Sequence, residues 1–195
     1  MNTPLELKSG KWLLVVGSHT TVPTVLRMIG RLAESGPVNV VDGGFAFNPY
    51  IVNSGNRAGL PALNRIRVHK AYSSREMLAA LEGLASEPRG SEMADGDASQ
   101  KSPRPAGTPT PFVVLDFLAT FFYFFEALEE RKSVLRLCLS QLNRLEQGTC
   151  GLVSVHLPRV LSQSEAELLA LVTGACHAIQ PVELMPATPM PARIF

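Results

Sequence analysis

At 195 residues, with 46% apolar and 18% charged residues, the chain is long enough to bury a substantial core, which excludes a disordered protein. Eighteen Lys and Arg oppose seventeen Asp and Glu, and a net charge of +1 excludes attraction to nucleic acid or anionic lipid through a global field. The three cysteines lie far apart and form no C-x-x-C pair, which argues against a zinc site and a disulfide framework and favours a reducing cytoplasm.

Short β-branched runs alternate with segments of helical period, a pattern typical of βαβ units and a parallel sheet. In chain order we predict strand 12–16, helix 21–34, strand 38–41, helix 48–58, strand 67–71, helix 74–85, strand 112–115, helix 128–146, strand 152–155, helix 164–176 and strand 179–184. The fold class is therefore α/β, with a mostly parallel sheet, helices on both faces and three αβα layers.

Residues Glu87 to Pro111 are rich in Pro, Gly, Ser, Ala and Asp, with Met93 as the one large apolar residue. This composition predicts a disordered insertion between a helix and a strand. Since the apolar strand after it continues the same sheet pattern, we predict a single domain over residues 1–195.

The longest apolar run, Phe112 to Phe125, contains Asp116 and is shorter than the roughly 20 residues of a membrane-spanning helix. The run from Trp12 to Val16 is also too short for the core of a signal peptide. We therefore expect a soluble, cytoplasmic protein with no membrane partner.

The first predicted strand leads into G-S-H-T-T-V-P-T, from Gly17 to Thr24. A P-loop, G-x-x-x-x-G-K-[ST], would wrap phosphates at this place before a helix. Gly17 and Thr24 match the pattern, but Val22 replaces the second glycine and Pro23 replaces the lysine. Val22 hinders a tight turn around an anion, and Pro23 removes both a cation and an N–H donor. Because proline suits the first turn of a helix, the loop can persist without the chemistry.

The second predicted strand ends in D-G-G-F-A-F-N-P, from Asp42 to Pro49. This segment resembles the D-T-E-G-x-F-R-P segment of RecA/RadA-type recombinases, with Asp42, Phe47 and Pro49 on its Asp, Phe and Pro. In that family the glutamate polarises the attacking water, and here Gly44 stands in its place. The resemblance therefore implies that the general base is missing.

Three further segments are similar to parts of the same family. Ile66 to Tyr72 looks like its third strand with an aromatic ending, and Phe112 to Asp116 looks like a Walker B strand, whose carboxylate would hold a magnesium-bound water. Glu129 to Leu142 is similar to the helix that follows. Together the pieces cover most of residues 11–157 and imply a RecA-like P-loop NTPase core with a degenerate Walker A motif.

Two departures concern DNA. In place of the first DNA-binding loop of the family stands the aromatic run Phe121 to Phe125, and the second loop is shortened to His156 to Arg159. The resemblance thus implies that the usual recombinase contacts with DNA are lost. With no segment expected ahead of the core to link subunits, we also expect no recombinase filament.

The candidate site residues have two interpretations each. Asp42 and Asp116 either cap loops or retain nucleotide or magnesium binding. In the second case a vestigial nucleotide site would comprise Gly17, Thr21, Thr24 and Asp116, with Asp116 also as the metal ligand.

Basic and aromatic residues are the candidates for contact with a partner. The basic group is either a solvated face or a phosphate-tracking patch, and the aromatic run is either core or a protein interface. The basic group is Arg57, Arg65, Arg67, Lys70 and Arg75, and the partner or DNA contacts singled out are Arg57, Arg67, Lys70, Phe121, Phe122 and Phe125.

From these observations we expect a non-catalytic RecA-like accessory or scaffold protein, with a protein partner and without a cofactor. The resemblance supplies a context in DNA repair or recombination. One alternative is a weak nucleotide-binding NTPase that uses ATP and magnesium through an atypical P-loop. Another is a nucleic-acid-binding module that uses the basic group.

Overall fold

A computed structural model describes residues 10–17, 21–54, 60–86, 110–122, 126–147, 149–176 and 179–181. Its strands are β1 (Trp12–Gly17), β2 (Val38–Asp42), β3 (Ile66–Lys70), β4 (Phe112–Leu115), β5 (Gly151–His156) and β6 (Ile179–Pro181). Its helices are α1 (Val22–Ser35), α2 (Pro49–Ser54), α3 (Leu60–Leu63), α4 (Ser74–Ser86), α5 (Ala119–Phe122), α6 (Leu128–Glu146) and α7 (Gln163–Ala175).

The strands form one 6-stranded sheet in the order β3-β2-β4-β5-β1-β6, and every neighbouring pair is parallel. Consecutive strands that are parallel need a crossover, and helices supply it here. β4 and β5 separate β2 from β1, although β1 and β2 follow each other in the chain.

Two apolar clusters lie on opposite faces of the sheet. Alternate residues of β4 divide between them, with Val113 and Leu115 on one face and Phe112 and Val114 on the other. Helices α1, α2 and α3 pack on the first face, and α4, α6 and α7 on the second. Burial on both faces explains the continuous apolar runs, and the predicted α/β fold with three αβα layers is confirmed.

Side-chain hydrogen bonds fix the ends of α1 and α7 and join β1 to α6. α7 begins with a capping box, in which Ser162 Oγ accepts from Glu165 N at 3.3 Å and Glu165 Oε2 accepts from Ser162 N at 2.7 Å. Arg65 Nη1 donates to the carbonyl of Glu34 at 3.0 Å and so satisfies the end of α1. Trp12 is fully buried, and its Nε1 donates to Asn143 Oδ1 at 3.1 Å, which ties β1 to α6.

The predicted elements differ from the structure mainly at their ends. The helix predicted over 48–58 is the shorter α2, and α3 follows it. α5 was not predicted, because it lies inside the apolar run Phe112 to Phe125, which has no readable helical period. Residues 87–109 of the predicted insertion lie outside the described residues, whereas Thr110 and Pro111 are described and at least half-buried. A single domain over 1–195 stays a prediction. None of the described helices combines the length and the apolar character that a membrane span needs.

Candidate functional site

Gly17, Asp42 and Asp116 lie at the carboxyl edge of the sheet, where all six described strands end. β2 leads to helices on one face, while β4 leads to helices on the other. Open α/β sheets bind ligands outside the carboxyl ends of two such neighbouring strands. Asp42 ends β2 and Asp116 follows β4, so both lie at this position in the fold.

Asp42 holds the loop that follows β2. Its side chain is buried, with Oδ1 accepting from Ala46 N at 2.9 Å and Oδ2 accepting from Phe47 N at 3.0 Å. Gly43 N donates to Leu115 O at 2.9 Å and joins the same loop to β4. Both oxygens of the carboxylate are thus engaged, and Asp42 follows the loop-capping interpretation.

The loop held by Asp42 turns an aromatic ring outward. Phe45 adopts φ 54°, in the left-handed region, and the residue is 64% exposed. Its ring lies 5.2 Å from that of Tyr72, centroid to centroid, at an interplanar angle of 57°. Tyr72 follows β3, and its backbone N–H donates to Glu76 Oε2 at 2.8 Å. Sequence reasoning missed Phe45, although its place on the glycine of the D-T-E-G-x-F-R-P pattern signals an unusual backbone.

Asp116 turns its carboxylate toward β5. Its backbone is also left-handed, with φ 49°, and its N–H donates to Ser154 Oγ at 3.0 Å. Oδ1 accepts from His156 N at 3.3 Å, and Oδ2 lies 3.4 Å from His156 Nδ1. Ser154 and His156 are buried. The carboxylate therefore organises the ends of β4 and β5, as a structural side chain would.

Gly44 lies directly against Asp116. A Cβ placed on Gly44 would stand 2.5 Å from Asp116 Cβ and 2.7 Å from its Cγ, distances that real Cβ atoms do not reach. Any side chain at Gly44 needs a movement of Asp116. The Gly44 position is therefore closed to a side chain.

Gly17 and Thr21 come together in the loop between β1 and α1. Thr21 is buried, and a Cβ on Gly17 would stand 3.2 Å from both Thr21 Cβ and Oγ1. Leu157 N donates to Gly17 O at 2.9 Å and joins the ends of β1 and β5. Pro23 lies in the first turn of α1, as predicted from its fixed φ, and Thr24 is exposed on the same turn. Residues 18–20 lie outside the described part of the chain.

The basic group does not form one uniform face. Arg65 caps α1, and Arg75 pairs with Glu130 of α6 at 2.8 Å. Arg67 and Lys70 are exposed on the edge strand β3. Arg57 is a prediction outside the described residues. Arg65 and Arg75 are thus tied to other elements of the fold.

Part of the aromatic run Phe121 to Phe125 packs in the core, and the rest lies outside the described residues. Phe121 is fully buried, and its ring contacts Phe117 edge to face with centroids 5.7 Å apart. Phe122 is half-buried against the same cluster. Of the two interpretations, Phe121 follows the core one, and this burial corrects its assignment as a partner or DNA contact. Phe125 lies outside the described residues.

The described residues do not support a nucleophilic role for Cys138 or a metal site. Burial, helped by the charge of Glu82, raises the pKa of the Cys138 thiol from 9.0 to about 12, so the reactive thiolate is absent near neutral pH. Within the described ranges, no three His, Cys, Asp or Glu side chains come together in a way that could hold a metal ion.

In comparisons with known proteins, no family model matches the chain and no curated protein matches its sequence.

Proposed function

We propose that the chain is a non-catalytic RecA-like accessory or scaffold protein that acts beside other proteins in DNA repair or recombination. The contact between Gly44 and Asp116 carries the proposal. In the D-T-E-G-x-F-R-P pattern the general base stands at the Gly44 position, and here Asp116 fills the adjacent space. A chain without that base lacks the group that orients water for phosphoryl transfer.

The backbone of the same loop supports the RecA-like part of the proposal. Phe45 stands where the pattern has glycine, and its φ of 54° is a conformation that glycine adopts easily and other residues rarely. Asp42, on the pattern's aspartate, holds this loop through Ala46 N and Phe47 N. The loop thus has a backbone shape that a glycine at this position would favour.

The first turn of α1 supports the non-catalytic part. Pro23 offers neither the charge nor the N–H that a P-loop lysine gives to phosphates. The described lysines offer no substitute, since Lys11 precedes β1, Lys70 ends β3, and Lys132 pairs with glutamates on α6 and α7. Phosphoryl transfer depends on positioned charge, so its loss removes orders of magnitude of rate.

Turnover of ATP by purified protein tests the proposal, with and without single-stranded DNA. We expect no magnesium-dependent hydrolysis and no thermal shift with ATP or ADP. Asp116→Asn is the matched variant, because it keeps the size of the side chain and removes the metal-binding charge. Hydrolysis that disappears in Asp116→Asn would replace this proposal with the weak NTPase that uses Gly17, Thr24 and Asp116.

Two binding measurements separate the remaining functions. A scaffold should capture a protein partner from native extract and retain it when the salt concentration is raised. Mass spectrometry identifies this partner. A nucleic-acid-binding module should instead bind labelled single-stranded DNA with an affinity that falls steeply with salt. The double variant Arg67→Ala/Lys70→Ala should lower that salt dependence if these exposed cations contact phosphates.

A further inference from the structure

Three exposed aromatic residues follow the carboxyl ends of β2 and β3 in the chain, and we call them the aromatic surface. They are Phe45, Tyr50 and Tyr72, with exposed fractions of 64%, 85% and 54%. Phe45 and Tyr72 are in ring contact, and Tyr50 lies in the first turn of α2, just after the Asp42 loop. Exposed rings grouped in this way are typical of a binding surface.

The backbone at Phe45 adds an independent reason to assign a role to this surface. A left-handed conformation is unfavourable for a residue with a large side chain, and burial does not compensate it here because the ring faces solvent. Instead, Asp42 fixes the loop through two hydrogen bonds. Such compensated strain is found where a side chain must be presented in one direction.

We propose that residues 182–195 of the same chain, through the stretch Pro186 to Pro191, cover the aromatic surface. Topology selects this segment. β6 runs parallel to β1 and ends at Pro181, so the chain after it departs from the carboxyl edge, where the aromatic surface lies. Residues 1–9 lead instead into the amino end of β1.

The other long undescribed segment is on the wrong side of the sheet. α4 returns from the carboxyl edge after β3, so residues 87–109 connect its far end with the amino end of β4. Both ends of that segment therefore lie at the amino edge. The remaining undescribed stretches between elements are at most five residues long.

The distance along the sheet matches the reach of the proposed segment. β2 and β3 are four and five strands from β6, or about 19 and 24 Å at a strand spacing of about 4.8 Å. An extended proline-rich chain rises about 3.1 Å per residue. Pro186 and Pro191, five and ten positions after Pro181, then reach about 16 and 31 Å, which brackets the aromatic surface.

The chemistry of the segment suits these rings. Its sequence Pro-Ala-Thr-Pro-Met-Pro, from Pro186 to Pro191, contains a P-x-x-P pattern. Such segments favour the polyproline II conformation and dock on surfaces lined with aromatic side chains. Met190 adds a thioether, which makes favourable contacts with ring edges.

A tail bound in this way would compete with any external partner of the aromatic surface. Its short tether gives an effective concentration in the millimolar range, so an external ligand must displace it. This proposal goes beyond the proposed function and does not depend on it, because a chain that hydrolyses ATP could carry the same contact. The ATP assay and the tail experiment therefore fail separately.

Nuclear magnetic resonance of the full chain, with ¹³C-methyl methionine, tests the contact. The chain has 6 methionines, and Met190→Leu assigns the relevant methyl signal. We expect nuclear Overhauser effects between the Met190 methyl group and the rings of Phe45 and Tyr72. A random-coil Met190 signal without such effects would overturn the proposal, as would a contact that weakens on dilution, because that contact joins two copies.

Matched variants locate the contact. Phe45→Asn with Tyr72→Ser removes both rings while retaining a residue that tolerates a left-handed backbone, and should return the Met190 methyl signal to its random-coil position. Leu137→Ser removes a similarly exposed apolar side chain from α6 and should leave the Met190 signal unchanged. A random-coil Met190 signal in both variants, or in neither, contradicts the proposed surface.

A peptide competition gives a second readout. A fluorescent peptide of residues 182–195 should bind the full chain carrying Pro186→Ser, Pro189→Ser and Pro191→Ser, since its own tail no longer competes. The unaltered chain should bind the peptide at least about tenfold more weakly, because its tail occupies the surface at high effective concentration. Equal affinity for both chains, or binding to neither, overturns the proposal.

Discussion

Gly44 and Asp116 are packed so closely that a Cβ on Gly44 would stand 2.7 Å from Asp116 Cγ. We therefore expect Gly44→Ala to lower the free energy of unfolding by about 1–3 kcal/mol, since Asp116 must move and a tightly packed site resists added volume. Urea denaturation followed by the fluorescence of Trp12, the single tryptophan, measures the change.

Gly83→Ala is the matched control for that substitution. Gly83 lies inside α4, and a Cβ there meets nothing within 4 Å. Alanine should stabilise the helix by about 0.5–1 kcal/mol, because glycine costs more backbone entropy. Equal effects of the two substitutions would contradict the close contact at Gly44.

Asp42→Ala should destabilise the protein by about 2 kcal/mol. The substitution leaves the N–H groups of Ala46 and Phe47 without their buried acceptor, and each such loss costs about 1–3 kcal/mol before water compensates. Asp42→Asn keeps one acceptor oxygen and should cost less. If both variants unfold at the same urea concentration as the unaltered protein, the carboxylate does not hold the loop.

Cys138 should make the protein sensitive to alkali. Burial raises the pKa of its thiol from 9.0 to about 12, so between these values the unfolded chain loses a proton that the folded chain retains. Stability is then complete below pH 9 and falls as the pH rises toward 12, by about 1.4 kcal/mol per pH unit from this group. Cys138→Ala should show a shallower decline in urea midpoint between pH 8 and 10, and identical slopes would refute the shift.

Glu167 should make a small contribution to the stability of the folded protein, and acid should remove this contribution. Lys132 of α6 lies 2.7 Å from Glu167 of α7, and this hydrogen-bonded pair lowers the pKa of the glutamate. A lowered carboxylate pKa stabilises the folded state above the ordinary value of 4.5, and the benefit disappears as the pH falls through the lowered pKa. Glu167→Gln should therefore lower Tm at pH 7 and converge with the unaltered protein near pH 3.

Glu129→Gln is the comparison for that pair. Glu129 also contacts Lys132, at 2.8 Å, but from the same helix. Its removal leaves the link between α6 and α7 in place, so it should change Tm less than Glu167→Gln. A larger effect of Glu129→Gln would indicate that the link between the helices contributes nothing.

The sequence predicts the central strands β2, β4 and β5 well because burial on both faces makes them mostly continuous apolar runs. Residues such as Val113 and Val114 pack on opposite sides, which leaves no polar alternation to misread. The end of the apolar run Phe112 to Phe125 was harder, since α5 is only four residues long and a short apolar segment has no readable period. Phe121 is buried in a cluster that includes residues of α4, which lies well before it in the chain.

The candidate site shows more clearly what the sequence does not predict. Sequence spacing places Asp42 and Asp116 at strand ends, and both residues lie at strand ends in the structure. Their roles depend on neighbours from other strands, such as Ser154 and His156 beside Asp116, which no local pattern reveals. The outward ring of Phe45 depends on backbone torsion, which a side-chain pattern does not encode.

The place of β1 in the sheet has a consequence for synthesis. Trp12 and its hydrogen-bond partner Asn143 are 131 positions apart, and the two neighbours of β1 are the last described strands, β5 and β6. As the chain leaves the ribosome, β1 emerges before the other strands but can pair only after nearly all of them have been translated. Sheets with such long-range pairing fold slowly. The nascent chain must therefore carry an apolar, unpaired strand through most of translation, which is when a chaperone would have the most to protect.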